Sequence, residues 1–138
     1  MKYKLSYTGS LRTEMIHEGS GASINSDAPK DNHGKGEAFS PTDLSAVSLS
    51  SCMITVMGIH ANKKGWGQLK ISGSAEKVMQ ANPRRIKSIS TDLSVGIERA
   101  HFTQEVQDQL HKIAEDCPVA LSLHPEIEQP LKISFYAY

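Results

Sequence analysis

The N-terminal residues alternate. Tyr3, Leu5 and Tyr7 are large and apolar, and Lys2, Lys4 and Ser6 stand between them. That period of two predicts a half-buried strand. Gly9 marks a turn, and Leu11 to Glu18 can return as a second strand. A shorter extended piece includes Ala22 and Ile24. Residues 26–41 then carry Asp27, Pro29, Asp31, Asn32, Gly34, Gly36 and Pro41, a loop composition. A loop this long in a compact domain is expected to be functional or mobile. From Thr42 to Lys64 the pattern changes to a dense apolar one through Leu44, Val47, Leu49, Met53, Val56, Met57 and Ile59. Ser40 as N-cap, Pro41 at the first helical position and Asp43 in the first turn predict where this helix begins. Lys63, Lys64 and Gly65 predict where it ends. Apolar residues cover most of its circumference, so it is expected to be buried on several sides and to run through the centre of the fold.

Two strands follow. Leu69, Ile71, Gly73 and Ala75 alternate with polar residues, and so do Ile89, Thr91, Leu93, Val95 and Ile97, with Pro83 breaking the chain between them. Both read as antiparallel strands with one wet face. Thr103 caps a second helix, with Glu105 in its first turn. Val106, Leu110, Ile113, Ala114 and Cys117 lie on its apolar stripe, and Pro118 opens a further helical turn through Leu123. Leu131, Ile133, Phe135 and Ala137 alternate again as a last strand. The order predicts an α+β fold with mostly antiparallel sheets, not a doubly wound parallel one. There is no internal repeat.

Length and composition narrow the function. The 138 residues are expected to form a single domain, 1–138. Lys and Arg number 15, and Asp and Glu number 15, so the net charge is zero. That balance argues against nucleic acid and against adsorption to an anionic membrane, and it permits self-association. The N-terminus lacks the apolar core of a signal peptide, and no uninterrupted apolar run reaches about 18 residues. The expected location is cytoplasmic, with no membrane span. There are two cysteines, Cys52 and Cys117. In a reducing compartment such a pair is more often redox-active than structural.

Each cysteine has a plain reading as a small apolar core residue. Each also lies on a helix face that must pack inward, so the two could come within bonding distance. A reactive thiol needs a nearby cation to stabilise its thiolate. Arg12 in the second strand is one source, and Arg84, Arg85 and Arg99 are others. His60 lies about two turns beyond Cys52 on roughly the same face, where it could assist a thiol or simply finish the helix. The six histidines show no zinc-binding spacing, and there is no C-x-x-C, Walker or G-x-S-x-G motif. No metal and no cofactor is expected.

The segment 39–66, which holds Ser40-Pro41-Thr42-Asp43-Leu44 and Ser50-Ser51-Cys52-Met53, resembles the OsmC/Ohr family. Asp116-Cys117-Pro118-Val119 followed by Ser122-Leu123 is similar to the second cysteine motif of that family, and the separation of the cysteines fits as well. The resemblance implies an intertwined homodimer with long central helices wrapped by sheets of both chains. It implies reduction of organic hydroperoxides to alcohols as part of an oxidative stress response. Cys52 then matches the peroxidatic cysteine and Cys117 the resolving one, with a dithiol or a lipoylated protein as reductant. The hydroperoxide-resistance branch carries a glutamate ten residues before its first cysteine, paired with an arginine that activates the thiol. Here that position is Thr42, with Asp43 beside it, and Arg12 is the match for the arginine. The form of this segment looks like the OsmC-like branch. Cys52, Cys117, Arg12 and Asp43 are therefore the candidate catalytic residues. Two other functions fit the same residues: a dimer that binds an apolar ligand at its interface, and a thiol redox sensor.

Overall fold

The computed structural model describes residues 2–138. They form an α+β chain with the order β1 (Tyr3–Gly9), β2 (Arg12–His17), β3 (Ser23–Asp27), α1 (Pro41–Lys64), β4 (Lys70–Gln80), β5 (Arg85–Ile97), α2 (Gln104–Glu115), α3 (Pro118–Ser122) and β6 (Leu131–Ala137). Short 3-10 turns lie at Lys30–Asn32 and Arg99–His101. The chain divides into two compact units, one ending at Ser45 and the other running Ala46–Tyr138.

In the first unit β1, β2 and β3 form an antiparallel meander, with Leu5 opposite Met15 and Met15 opposite Ile24. One face of this sheet is apolar and open to solvent. Leu5 is 73 % exposed, and Tyr3, Tyr7 and Ile24 are exposed beside it. The strand β3 runs on through Ser26 and Asp27, which the loop composition of residues 26–41 had assigned to the loop. The remainder of that loop is tied down by its backbone. The Ala28 N–H donates to Leu11 O at 3.0 Å, the Asp27 N–H to Phe39 O at 3.1 Å, and the Gly36 N–H to Ala28 O at 3.3 Å. At Gly34 a β-carbon would collide with the Ala28 carbonyl, so the tight return of this loop requires glycine there.

The start of α1 follows the capping rules. The Asp43 N–H donates to Ser40 Oγ at 3.1 Å, and the Ser40 N–H donates to the Asp43 carboxylate at 2.9 Å. This reciprocal pair satisfies two backbone donors at the helix N-terminus. The helix has the length and apolar composition of one that could cross a membrane, although polar residues interrupt its apolar run. Its burial is narrower than the sequence pattern predicts. Ala46, Leu49, Ser50, Met53, Met57 and Ala61 form one buried stripe, while Val47 and Ile59 on other faces are exposed. Periodicity reports which residues are apolar, not how many neighbours a single chain can supply to cover them.

In the second unit β5 is the central strand, antiparallel to β4 and parallel to β6. A parallel neighbour needs a crossover, and α2 with α3 supplies it. Ile89, Leu93, Val95 and Ile97 of β5 join Leu49, Met53 and Met57 of α1 and Val106, Leu110 and Ala114 of α2 in one core. The strand keeps its wet face at Asp92, but Gly96 is buried because the Tyr136 ring lies across it. Thr103 caps α2 as the sequence predicts, its hydroxyl accepting the Val106 N–H at 3.2 Å.

Candidate active site

The second unit brings the two cysteines together. Cys52 sits on α1 beside the buried stripe and packs against the core as a half-buried residue. Cys117 lies one residue past Asp116, the C-cap of α2, and caps α3; it is buried, but outside the helix on whose stripe the sequence pattern places it. Its conformation is extended, Pro118 takes the first helical position, and the Ala120 N–H donates to Cys117 Sγ at 3.4 Å. The two sulfurs are hydrogen-bond neighbours, and both are free thiols. Only 1 % of Cys117 is exposed.

The surroundings of Cys117 act on its thiol in opposing directions. Burial pushes the Cys117 thiol above its ordinary value. The N–H groups of Ala120 and Val119 pull it down, whereas Cys52 pushes it up, both as acceptor of its S–H and as a neighbouring negative charge.

Supporting contacts fix the frame around the pair. Ser50 Oγ and Thr91 Oγ1 lie 2.7 Å apart in the interior, joining α1 to β5 two residues before Cys52. The Gln129 side chain donates to the Ala120 carbonyl at 3.1 Å and so holds α3 to the approach of β6. His60 Nε2 lies 3.2 Å from Gln109 Oε1, and its ring meets Trp66 edge to face at 5.2 Å. His60 thus joins α1 to α2.

The first unit places Arg12 in a carboxylate clamp. Its guanidinium donates to the two oxygens of Asp27 at 2.6 and 2.8 Å and to Glu37 at 3.0 Å. Asp27 is 1 % exposed and also accepts the Glu37 N–H at 3.0 Å. The Arg12 hydrogen bonds, against the opposing cost of desolvation, hold the Asp27 carboxyl down at about 2. The Arg12 guanidinium is raised in turn by Asp27 first and Glu37 next. Asp27 and Glu37 lie in what reads as loop in the sequence; the register that sets Arg12 opposite Asp27 is the signal that identifies Asp27, and Glu37 has no comparable one. Asp43 holds the cap of α1. Arg85 pairs with Glu126 at 3.2 Å. Among the described residues no three His, Cys, Asp or Glu side chains converge as a metal site would require.

A mixed α+β chain with two adjacent free thiols, one sealed and one half-open, defines a dithiol protein. The family model described as OsmC-like protein matches residues 34–131, and the chain belongs to that family. It is similar to a solved protein from Psychrobacter arcticus described as an osmotic stress induced and detoxification response protein. That likeness is 41 % identity over 97 % of this chain and 96 % of the other, with a TM-score of 0.89. An OsmC-like protein from Vibrio cholerae shares the fold at 16 % identity and a TM-score of 0.81, over 96 % of this chain and 97 % of that one. An organic hydroperoxide resistance protein from Legionella pneumophila does so at 20 % identity and 0.68, over 96 % and 95 %. No curated protein sequence matches the chain.

Proposed function

We propose that this protein is a cysteine-based peroxidase that reduces organic hydroperoxides to alcohols. The observation that carries the reading is that Cys52 and Cys117 are neighbours, both free, with Cys117 buried and Cys52 half-buried. A Cys52 thiolate attacks the outer oxygen of a hydroperoxide. The O–O bond breaks, the alkoxide leaves and takes a proton, and Cys52 becomes a sulfenic acid. The neighbouring Cys117 sulfur then attacks the Cys52 sulfur. The S–O bond breaks, water leaves, and a disulfide joins the two. An external dithiol returns both cysteines to thiols and is itself oxidised to a disulfide. The family resemblance supports a lipoylated protein as that dithiol and a homodimer as the working form.

By the family resemblance Arg12 is the match for the arginine that activates the thiol. Its three short carboxylate hydrogen bonds keep its orientation fixed. Asp43 serves the same reading as the cap that sets the start of the helix carrying Cys52. The test is consumption of cumene hydroperoxide by the purified protein with dihydrolipoamide. Turnover is expected in the wild type, and Cys52→Ser should abolish it. Cys117→Ser should stop at a sulfenic acid that dimedone labels. If no hydroperoxide is consumed with any dithiol, the reading fails.

A further inference from the structure

The two sulfurs of the pair differ in one respect that the oxidation half of the cycle does not use. Cys52 is half-buried, whereas Cys117 is 1 % exposed and belongs to the core with Leu110, Ala114 and Val106. Thiol–disulfide exchange requires an incoming sulfur to approach along the axis of the bond that breaks, so access decides which sulfur is attacked.

We infer that reduction of the Cys52–Cys117 disulfide has a fixed direction: the reductant thiolate attacks Cys52, and Cys117 departs. This rests on the dithiol reading of the pair, but not on the peroxide being its oxidant. In the first step a thiolate of the dithiol forms a bond to Cys52 Sγ. The Cys52–Cys117 bond breaks, and its electron pair goes to Cys117 Sγ, which takes up a proton. In the second step the other thiolate of the reductant attacks the sulfur of its own chain in the mixed disulfide. Cys52 leaves as a thiolate, and the reductant closes as a cyclic disulfide.

Two opposing effects act on the departure of Cys117. Burial makes a charged sulfur costly there, which slows it. The Ala120 N–H, 3.4 Å from the sulfur and held in place by the Gln129 contact on the same residue, offsets part of that cost. Access outweighs the remainder, because attack on Cys117 requires the core around Leu110 and Ala114 to open first. The α3 helix is only one turn long, so its dipole contributes little and the directed N–H is the relevant contact.

The experiment uses the full chain, linked by diamide so that no peroxide turnover is needed. The oxidised protein is exposed briefly to limiting 2-mercaptoethanol, quenched in acid, alkylated and read by peptide mass spectrometry. The adduct is expected on Cys52 and the alkyl group on Cys117, in a ratio of about tenfold or more. An equal or inverted ratio overturns the inference, and so does a failure of diamide to link the pair. Peroxidase activity is measured separately, so its absence alongside a Cys52 adduct would sink the proposed function and leave the direction standing. In Ala120→Pro, which removes the N–H, reduction by dithiothreitol is expected to slow by about threefold to tenfold. An unchanged rate in a variant with wild-type circular dichroism overturns the part assigned to Ala120.

Discussion

Removing the hydroxyl of Ser50 should cost more than its size implies. Ser50 and Thr91 are both buried, and their hydroxyl oxygens lie 2.7 Å apart. Thr91 occupies the apolar face of β5 between Ile89 and Leu93, and Ser50 sits between Leu49 and Met53. Each hydroxyl is therefore the polar partner of the other in an apolar layer. Ser50→Ala strands the Thr91 hydroxyl there. Leaving a buried hydroxyl unpaired costs about 1–3 kcal/mol, against about 1 kcal/mol for the net value of an ordinary hydrogen bond. For a chain of this size, 1 kcal/mol corresponds to a fall in Tm of about 3–5 °C. Thr91→Val should cost a similar amount for the converse reason. The double variant Ser50→Ala/Thr91→Val removes both polar groups, so its loss should be smaller than the sum of the single losses by about 1 kcal/mol. The assay is urea unfolding of the four proteins with both cysteines reduced and at one protein concentration, since association would shift apparent stability. If the two single losses add to within about 0.3 kcal/mol of the double, the pair is not coupled and the argument is wrong. The variants also bear on activity. The pair fixes the height of α1 on β5 close to Cys52, so Ser50→Ala should slow disulfide closure while leaving the first attack on peroxide nearly unchanged.

Acid should release the Arg12 clamp. The Asp27 carboxyl is held at about 2 in the folded chain, below its ordinary value of about 4. A carboxyl depressed on folding contributes stability that is fully present above the ordinary value. That contribution is lost as pH falls from about 4 toward about 2. Melting curves across this range should show a slope in the wild type that Asp27→Asn reduces; an unchanged slope would assign the acid sensitivity to other groups. The exposed apolar face of the first sheet gives a prediction about association. If two copies cover it, Leu5→Lys should weaken the dimer by about a hundredfold in Kd, since each dimer buries two such side chains. Light scattering over a dilution series measures this, and an unshifted mass would remove that face from the interface.

Much of the fold is legible in the residues themselves, because the decisive signals are local. Ser40, Pro41 and Asp43 place the start of α1 through hydrogen bonds that close within one turn. Thr103 does the same for α2. The alternation at Tyr3–Tyr7 and at Ile89–Ile97 marks strands wherever they end up paired. The cysteines are recognisable by the segments around them, but their contact is not a meeting of two helix stripes, because Cys117 lies beyond α2 as the cap of α3 and Cys52 lies beside the buried stripe of α1. What the sequence hides depends on distant partners. The parallel pairing of β6 with β5 is set by the crossover, not by anything in Leu131–Ala137. Strand β5 begins at Arg85 and β4 extends to Gln80 because the two pair across a bulge at Val78–Met79, where alternation alone stops short. Asp27 and Glu37 look like loop polarity until strand register sets one of them opposite Arg12. The single buried stripe of α1 reflects what one chain can cover.

The meeting of Cys52 with Cys117 also has a consequence for the chain as a polymer. The two residues are 65 positions apart, so linking them would close a large loop in the unfolded chain. On the chain-entropy estimate such a cross-link withdraws about 4 kcal/mol of freedom from the unfolded ensemble. Oxidised and reduced forms would then share one fold but differ in how hard they are to unravel. A population with the pair linked would resist heat and proteases better than one with both thiols free.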